Sequence, residues 1–466
     1  MKGKKFSLIS ASLILALTGS LLAGCGSKTT DGTDKGSEAP SPAANSDGTK
    51  EFKNKELNIA VFEGGYGNAY WVEVIKKFEA DYPGVKVNMI SNPKIMDIIK
   101  PQIVAGNPPD MIYAPMSDQT GTINALIKEK ALEPLNDVFD GNALDKEMPL
   151  KDLMTDGILE YAKPHDDGNI YYAPYYMSSM GLWYNKTFFE KKGLKAPETW
   201  EEFFALNDVA KQESRSLFTY QGIYPTYLES VLWPAIASAG GMDAVKSVLN
   251  YEENAVKSDA VRQAFGVFET IAQKDYLMPG TVALNHTQAQ IDFLQGKAMF
   301  VPNGNWFEGE MKDSPREEGF EFGFLPVPTF SQGQDRYAAV AFEALFVPKK
   351  AKNIELAKEF IRYQYKEDIV KLNAEKSTGV LAVKNGAELA KDFIPKSVYE
   401  SMKVFDSGIK PLIFQWKVTP KTEIMINDEM FKPLSNVMNK QMSVDEWIDR
   451  VDKASAKLRE LIEKSK

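Results

Sequence analysis

The feature that most limits the possible folds is an alternation of strand and helix patterns between residues 56 and 115. The apolar runs ELNIAVF, VKVNMI and DMIYA are typical of buried strands, and a helical pattern separates each run from the next. In the first helical pattern, Trp71, Val74 and Phe78 recur at the spacing of one helix face, which favours a core position for Trp71. Strands joined by helices in this way form βαβ units, so the sequence predicts an α/β fold with a mainly parallel sheet.

Helix-start signals continue this pattern further along the chain. Thr199 with Glu202, and Ser443 with Glu446, match the capping box at the start of a helix. Asn185, in a strand-to-helix turn, and Asp110, at the start of a strand, are predicted to have structural roles. The same is expected of two tryptophans in helical patterns, Trp200 and Trp447.

The glycine-rich segment FEGGYGNAYW lies between the first strand and the first helix, where a nucleotide-binding turn would also lie. In that turn, the third glycine lets the helix pack closely on the strand. Here the equivalent position is Tyr70, so we predict no dinucleotide site. The glycines still permit positive φ and close approach of a ligand to the backbone.

Composition excludes several classes of site. The chain of 466 residues has a formal net charge of −9, which argues against nucleic acid as a partner. One cysteine allows no intrachain disulfide, and two histidines disfavour a histidine-rich metal site or a Cys–His nucleophile. No cofactor is expected.

The N-terminal segment has the pattern of a bacterial export signal. A basic stretch, MKGKK, precedes an apolar run, and Leu22-Ala23-Gly24-Cys25 then resembles the lipobox of bacterial lipoproteins. We therefore predict a signal peptide over 1–24, lipidation of Cys25, and a disordered tether over 25–54. The alternative is an ordinary secretory signal with a chance cysteine. The anchored protein would lie on the outer face of the cell membrane.

Blocks spread over residues 55–390 resemble family 1 extracellular solute-binding lipoproteins of bacterial carbohydrate ABC transporters, the group typified by maltose-binding protein. The blocks occur in the family's order and comprise IAVFEGGYGNAYWVEVIKKFEADYPGVKVN, GNPPDMIYAP, GLWYNKTFFEKKGLKAPETWEEF, LWPAIASAGG, FLQGKAMFVPNGNWF, FGFLPVPTF and TGVLAVKN. The resemblance implies a two-lobed periplasmic-binding-protein-like fold of type II with a hinge between the lobes. It also implies a carbohydrate ligand, the permease transmembrane subunits as partners, a monomer and no enzymatic activity.

The family pattern implies that the chain crosses between the lobes three times. The crossings would lie near Pro174, near Pro326 and near Gly379. The implied lobes are 55–174 with 326–379, and 175–325 with 380–466. Ligand binding would close the hinge, which requires the ligand to contact both lobes.

Sugars offer apolar C–H faces that suit aromatic rings, and hydroxyl groups that suit carboxylates and amides. Strand-end positions and the family resemblance together give the candidate ligand-binding residues. They are Glu63, Tyr66, Asp118, Tyr176, Ser178, Trp233, Trp306, Asn303, Glu343 and Trp416, with Tyr175 and Tyr227 as neighbouring candidates. Ser230 and Val231 stand where maltose-binding protein has an aromatic pair, which argues against a maltodextrin ligand. The GGYG loop is similar to that of importers of N-acetylglucosamine or chitobiose.

Two alternative functions remain open at this point. The same fold could bind a peptide, although no charged anchor for one is evident. A secreted glycoside hydrolase would need two carboxylates about 5–10 Å apart, and Glu63, Asp118 and Glu343 could supply such a pair. Since the chain has 64 acidic residues, a plausible pair is inevitable and the signal is weak.

Overall fold

The computed structural model describes residues 51–466 apart from Ser117, Gln119, Asp166 and Lys466. The predicted signal peptide, Cys25 and the tether up to residue 50 lie outside the described residues. Phe52–Lys466 forms one compact unit. Among the helices in this described part, none combines the length and apolar character that a bilayer span requires.

Nine strands form one mixed sheet. They are β1 (Glu56–Phe62), β2 (Lys86–Asn92), β3 (Met111–Pro115), β4 (Ala173–Asn185), β5 (Ser216–Phe218), β6 (Ala298–Gly304), β7 (Phe322–Leu325), β8 (Tyr337–Phe346) and β9 (Lys410–Leu412). The strand order is β2-β1-β3-β8-β4-β6-β5, with β7 paired to β4 and β9 paired to β8.

The predicted βαβ units are present, because β1 pairs in parallel with both β2 and β3. The expectation of a mainly parallel sheet is wrong for the sheet as a whole. The long strand β4 runs antiparallel to β6, β7 and β8, and β8 also runs antiparallel to β3. These pairings join segments far apart in the chain, and the local patterns carry no information about their direction.

Helices pack against strands along the sheet. In the first half of the chain they are α1 (Ala69–Asp81), α2 (Ile95–Val104), α3 (Thr122–Lys128), α4 (Asn136–Asp140), α5 (Leu150–Leu153), α6 (Lys186–Lys192), α7 (Trp200–Ala205), α8 (Asn207–Gln212) and α9 (Glu229–Leu249). In the second half they are α10 (Asp259–Gln273), α11 (His286–Leu294), α12 (Phe307–Glu310), α13 (Ile354–Tyr363), α14 (Glu367–Ser377), α15 (Gly386–Ala390), α16 (Lys396–Lys403), α17 (Ile426–Phe431), α18 (Leu434–Met438) and α19 (Val444–Lys464). Among them, α2 packs on β1, α9 on β8 and α11 on β6. A 3-10 turn, Pro225–Leu228, leads directly into α9.

The predicted helix caps are confirmed. Thr199 and Ser443 each form a complete capping box, with the carboxylate three residues later bonded back to the cap. The side chain of Asn185 accepts from the backbone of the first turn of α6. Asp110 accepts hydrogen bonds from three backbone N–H groups, those of Asn58, Lys352 and Asn353, and so ties β1 to the segment before α13.

Two large hydrophobic clusters hold most of the buried apolar side chains in the described residues. The first draws on residues 52–176 and 342–383, and it includes Trp71. The second draws on residues 182–327, Tyr337 and 412–458, and it includes Trp200 and Trp447. The strands β4 and β8 contribute to both clusters. Tyr337 packs in the second cluster and Phe342 in the first, so the chain passes from one cluster to the other within β8.

Candidate ligand-binding cleft

The loop between β1 and α1 carries Tyr66 to the junction of the two clusters. The Tyr66 hydroxyl lies 2.6 Å from Oγ of Ser178, in β4, and donates to Oδ1 of Asn305, just after β6, at 3.4 Å. Its ring stacks on that of Tyr176, with the centroids 4.1 Å apart. Burial, with a contribution from Glu343, raises the pKa of the Tyr66 hydroxyl well above its usual range. The hydroxyl therefore stays protonated and can donate.

The same loop places the backbone of Gly65 against Trp306. A Cβ added at Gly65 would lie 3.2 Å from Cβ of Trp306, so a larger residue would push the ring away. The ring of Trp306 also covers Gly304, where an added Cβ would overlap it. Although Trp306 follows β6, it packs against the first cluster. The glycine-rich loop is thus a contact between the two lobes, and Gly67 makes its turn with φ +63.

Two of the candidate carboxylates hold loops of the chain itself. Glu63 accepts from Oγ of Ser91 at 2.9 Å and from Nδ2 of Asn68 at 3.2 Å, both through Oε2. Asp118 accepts from the backbone and hydroxyl of Thr120 and from the backbone of Ile123 at the start of α3. Both side chains lie at the carboxyl ends of parallel strands, where α/β proteins commonly bind ligands.

Glu343 lies in β8, opposite Pro115 at the end of β3. The Tyr113 hydroxyl donates to its Oε2. Burial raises the pKa of the Glu343 carboxyl to about 8. The group is therefore mainly neutral at pH 7 and can donate as well as accept a hydrogen bond.

A second aromatic group lies in the second cluster. Trp233, inside α9, has no exposed surface, and its ring centroid lies 5.7 Å from that of Phe414 and 5.4 Å from that of Trp416. Trp416 is only partly buried and stacks in parallel on Tyr251, with the centroids 5.5 Å apart. Its indole Nε1 donates to Oδ1 of Asn427 at 2.5 Å. Of the two predicted tryptophans here, Trp416 is the one with surface available to a ligand.

The NGN sequence before Trp306 supplies two buried amides. Asn303 uses Oδ1 to accept from the backbone of Gly304, and its backbone oxygen accepts from the indole of Trp183 at 3.0 Å. Nδ2 of Asn303 and Nδ2 of Asn305 have no hydrogen-bond partner within the described part of the chain. An unpaired buried donor is costly unless a ligand or water binds it.

The structure brings together five of the ten predicted residues: Tyr66, Tyr176, Ser178, Trp306 and Glu343. Trp233 and Trp416 form a separate group, whereas Glu63, Asp118 and Asn303 stabilise their own surroundings. The neighbouring candidate Tyr175 is fully buried in the first cluster, and its hydroxyl donates to Oε1 of Gln364. Sequence reasoning did not select Asn305, Glu229 or Asn427, although the alternation of NGN before Trp306 could have pointed to Asn305.

No set of three or more metal-ligating side chains occurs among the described residues. Two surface cavities lie away from the cluster around Tyr66. One, of about 410 Å³, lies between α17 and α19, and the other, of about 270 Å³, is bordered by Glu198 and Arg336. Because Gly65 touches Trp306 directly, a ligand between them would require the two loops to separate.

Two proteins similar to this chain are named for the sugars that they bind. It is 28% identical over 368 residues to the diacetylchitobiose binding protein NgcE of Streptomyces coelicolor, covering 78% of this chain and 76% of the relative. It is 24% identical over 332 residues to the multiple sugar-binding protein of Streptococcus mutans, covering 69% and 74%.

Solved structures share the fold. A chitin oligosaccharide binding protein matches with a TM-score of 0.69 at 18% identity, covering 87% of this chain and 99% of that one. The protein RafE in complex with raffinose matches with a TM-score of 0.65 at 18% identity, over 87% and 99%. The sequence profile of bacterial extracellular solute-binding proteins matches residues 64–371. This chain therefore belongs to the family of bacterial extracellular solute-binding proteins.

Proposed function

We propose that this protein is the sugar-binding subunit of a bacterial ABC importer. It captures a sugar or oligosaccharide between its lobes, outside the membrane, and delivers it to the permease when the hinge closes. The observation that carries this proposal is the junction of Tyr66, Tyr176, Ser178, Asn305 and Trp306, where rings and hydrogen-bonding groups of both lobes meet. A sugar presents the matching pair of surfaces, C–H faces and hydroxyls.

We further propose that the ligand is an oligosaccharide of N-acetylglucosamine. The support is the likeness to the diacetylchitobiose binding protein and to the chitin oligosaccharide binding protein. The unpaired amide N–H groups of Asn303 and Asn305 suit a ligand that is rich in oxygen acceptors, since an acetamido carbonyl is such an acceptor. The likeness to RafE makes raffinose the comparison ligand.

The proposed roles divide the candidates by chemistry. Trp306 and Trp416 stack on sugar faces, with Trp233 packed behind Trp416. The hydroxyl and acetamido groups of the sugar make hydrogen bonds to polar side chains of the protein. These side chains are Tyr66, Tyr176, Ser178, Glu63, Asp118, Asn303 and Glu343. We place the lobe crossings within β4, within β8 and near Gly379, which keeps 55–174 in the first lobe and most of 182–325 in the second. Gly65 and Tyr66 on one lobe, with Asn305 and Trp306 on the other, would grip the ligand upon closure.

We propose binding without catalysis. Glu63 and Asp118 each stabilise a loop of the chain, and Glu343 is held by Tyr113, so these carboxylates have structural uses that a glycosidase pair would not need. Incubation with chitotetraose followed by mass spectrometry should return the tetramer alone. Appearance of shorter products would support the hydrolase instead.

We propose that Cys25 carries the lipid anchor, with 25–54 as the tether and the body as a monomer at the outer face of the membrane. The support is the lipobox-like sequence before Cys25. In a bacterial host, the intact protein should fractionate with membranes and Cys25→Ser should be released. If the intact protein and Cys25→Ser were released equally, the lipid anchor would be ruled out and the segment would be an ordinary secretory signal.

A thermal-shift screen tests the proposed ligand class. Ligand that binds only the folded state raises stability by about 2.7 kcal/mol at a hundredfold excess over Kd. Diacetylchitobiose and chitotriose should therefore raise Tm by a few degrees, whereas maltotriose should not. Trp306→Ala should lower the affinity about 30-fold, because central tryptophans commonly contribute 2 kcal/mol or more.

The matched control is Phe393→Ala, which removes a ring that is 41% exposed and belongs to neither of the two large hydrophobic clusters. It should leave the affinity unchanged. Equal affinity of Trp306→Ala and the intact protein would remove Trp306 from the site, and the absence of any sugar-induced shift would count against sugar binding.

A further inference from the structure

Glu229, the first residue of α9, lies close to Trp416, one of the two tryptophans that we assign to the ligand. The 3-10 turn that precedes it, Pro225–Leu228, contains Tyr227 and contacts α17, which carries Asn427. Further along α9, the ring centroid of Trp233 lies 5.4 Å from that of Trp416. The start of α9 is therefore placed to act on the ring of Trp416.

Glu229 acts on Trp416 through Asn427. Nδ2 of Asn427 donates to Oε1 of Glu229 at 3.3 Å, and Oδ1 of Asn427 accepts from Nε1 of Trp416 at 2.5 Å. Because the indole proton occupies the amide oxygen, the amide nitrogen must face the carboxyl group. Glu229 is only 8% exposed, and burial raises the pKa of its carboxyl to about 8, so it is mainly neutral at pH 7.

The hydrogen bond from Trp416 to Asn427 fixes an orientation of the ring that packing leaves open. Trp416 is flanked by the ring of Tyr251 in parallel and by Trp233 at an angle of 76°. Parallel stacking is tolerant of sliding and of rotation within the ring plane. A hydrogen bond at Nε1 sets the in-plane orientation, and with it the part of the ring that a sugar meets.

We propose that Glu229, acting through Asn427, is a positioning residue for Trp416, and that this hydrogen-bonded pair fixes the orientation of that sugar-stacking ring. A sugar that stacks on Trp416 must match this orientation, so the pair contributes to the choice of oligosaccharide. The inference rests on the proposed function, since it assumes that this ring meets the ligand.

The test compares variants that remove or keep the acceptor at residue 229. Diacetylchitobiose affinity is measured by calorimetry for Glu229→Leu, Glu229→Gln and Asn427→Ala. Glu229→Leu and Asn427→Ala should lower the affinity about tenfold, the usual effect of a lost hydrogen bond at a binding site. Glu229→Gln keeps an oxygen acceptor and should bind within about twofold of the intact protein.

A second readout does not depend on the ligand. In protein labelled with 5-fluorotryptophan, the seven tryptophans give separate ¹⁹F resonances, and Trp416→Phe identifies that of Trp416. Asn427→Ala should move this resonance and leave that of Trp71, which lies in the first cluster, in place. Asn427 is partly buried, so its truncation should be tolerated by the fold even if Glu229→Leu is not.

The outcomes separate the two proposals. If the intact protein does not bind diacetylchitobiose but the Trp416 resonance moves in Asn427→Ala, the proposed ligand is wrong and the positioning contact stands. If the intact protein binds and Asn427→Ala binds equally well, the positioning proposal is overturned. Equal losses in Glu229→Gln and Glu229→Leu would also overturn it, because the acceptor would then not be what matters.

Discussion

The pKa of Glu343 makes the stability of this protein depend on pH, and Glu343→Gln should remove that contribution. Burial places the folded-state pKa at about 8, against 4.5 for a free glutamate. The folded protein therefore holds this proton more tightly than the unfolded chain does. Between pH 4.5 and 8 the folded state binds more protons, so its stability falls as pH rises, and the loss is complete above about pH 8.

The size of the effect follows from the shift. Each pKa unit corresponds to about 1.4 kcal/mol, so the whole shift would amount to about 5 kcal/mol. Glu343 retains some exposed surface, and water near the charged form reduces this cost, so we expect about 2 kcal/mol. The nearby Tyr66 hydroxyl stays neutral in this range, because burial raises its pKa well above the usual value, and it adds no titration of its own.

Urea denaturation at pH 5, 6, 7 and 8 measures the effect. Glu229 titrates in the same direction, so the comparison is between the intact protein and Glu343→Gln at each pH. The difference in unfolding free energy should shift by about 2 kcal/mol between pH 5 and pH 8, in favour of the variant at high pH. A difference that stays constant over this range would refute the burial of a neutral carboxyl at this position.

Two glycine substitutions test the contacts of the interlobe loops. Gly65→Val should lower sugar affinity about tenfold by holding Trp306 away, and it should leave the unfolding free energy nearly unchanged. Gly379→Ala places a Cβ 2.2 Å from the ring of Tyr176 and should cost about 2 kcal/mol of stability by urea denaturation. Gly266→Ala, at an open position inside α10, is the control: it should leave sugar affinity unchanged and raise the unfolding free energy by about 0.5–1 kcal/mol, because alanine favours the helix.

Local patterns predicted the parts of the fold that local forces determine. The first three strands and two helices follow from hydrophobic spacing, and the capping boxes at Thr199 and Ser443 from side-chain chemistry at helix starts. The strand-end positions of Glu63 and Trp306 followed from the same reasoning. These features involve residues that are close together in the chain.

Features that depend on distant pairing were not predictable in this way. The antiparallel crossing of β4 and β8 joins residues more than 150 positions apart, and it makes the sheet mixed. The contact between Glu229 and Asn427 spans 198 positions, so no local signal marks either residue. The burial of Trp233 depends on Phe414 and Trp416, which approach it from the other end of the chain.

Calorimetric titration of the intact protein with diacetylchitobiose tests the central claim most directly. The proposed function predicts saturable binding of one sugar molecule per chain, with no product formed during the titration, and weaker or no binding of raffinose and maltotriose. Absence of heat with all three sugars, at concentrations where the related proteins would be saturated, would contradict the claim that the junction of the two lobes is a sugar site.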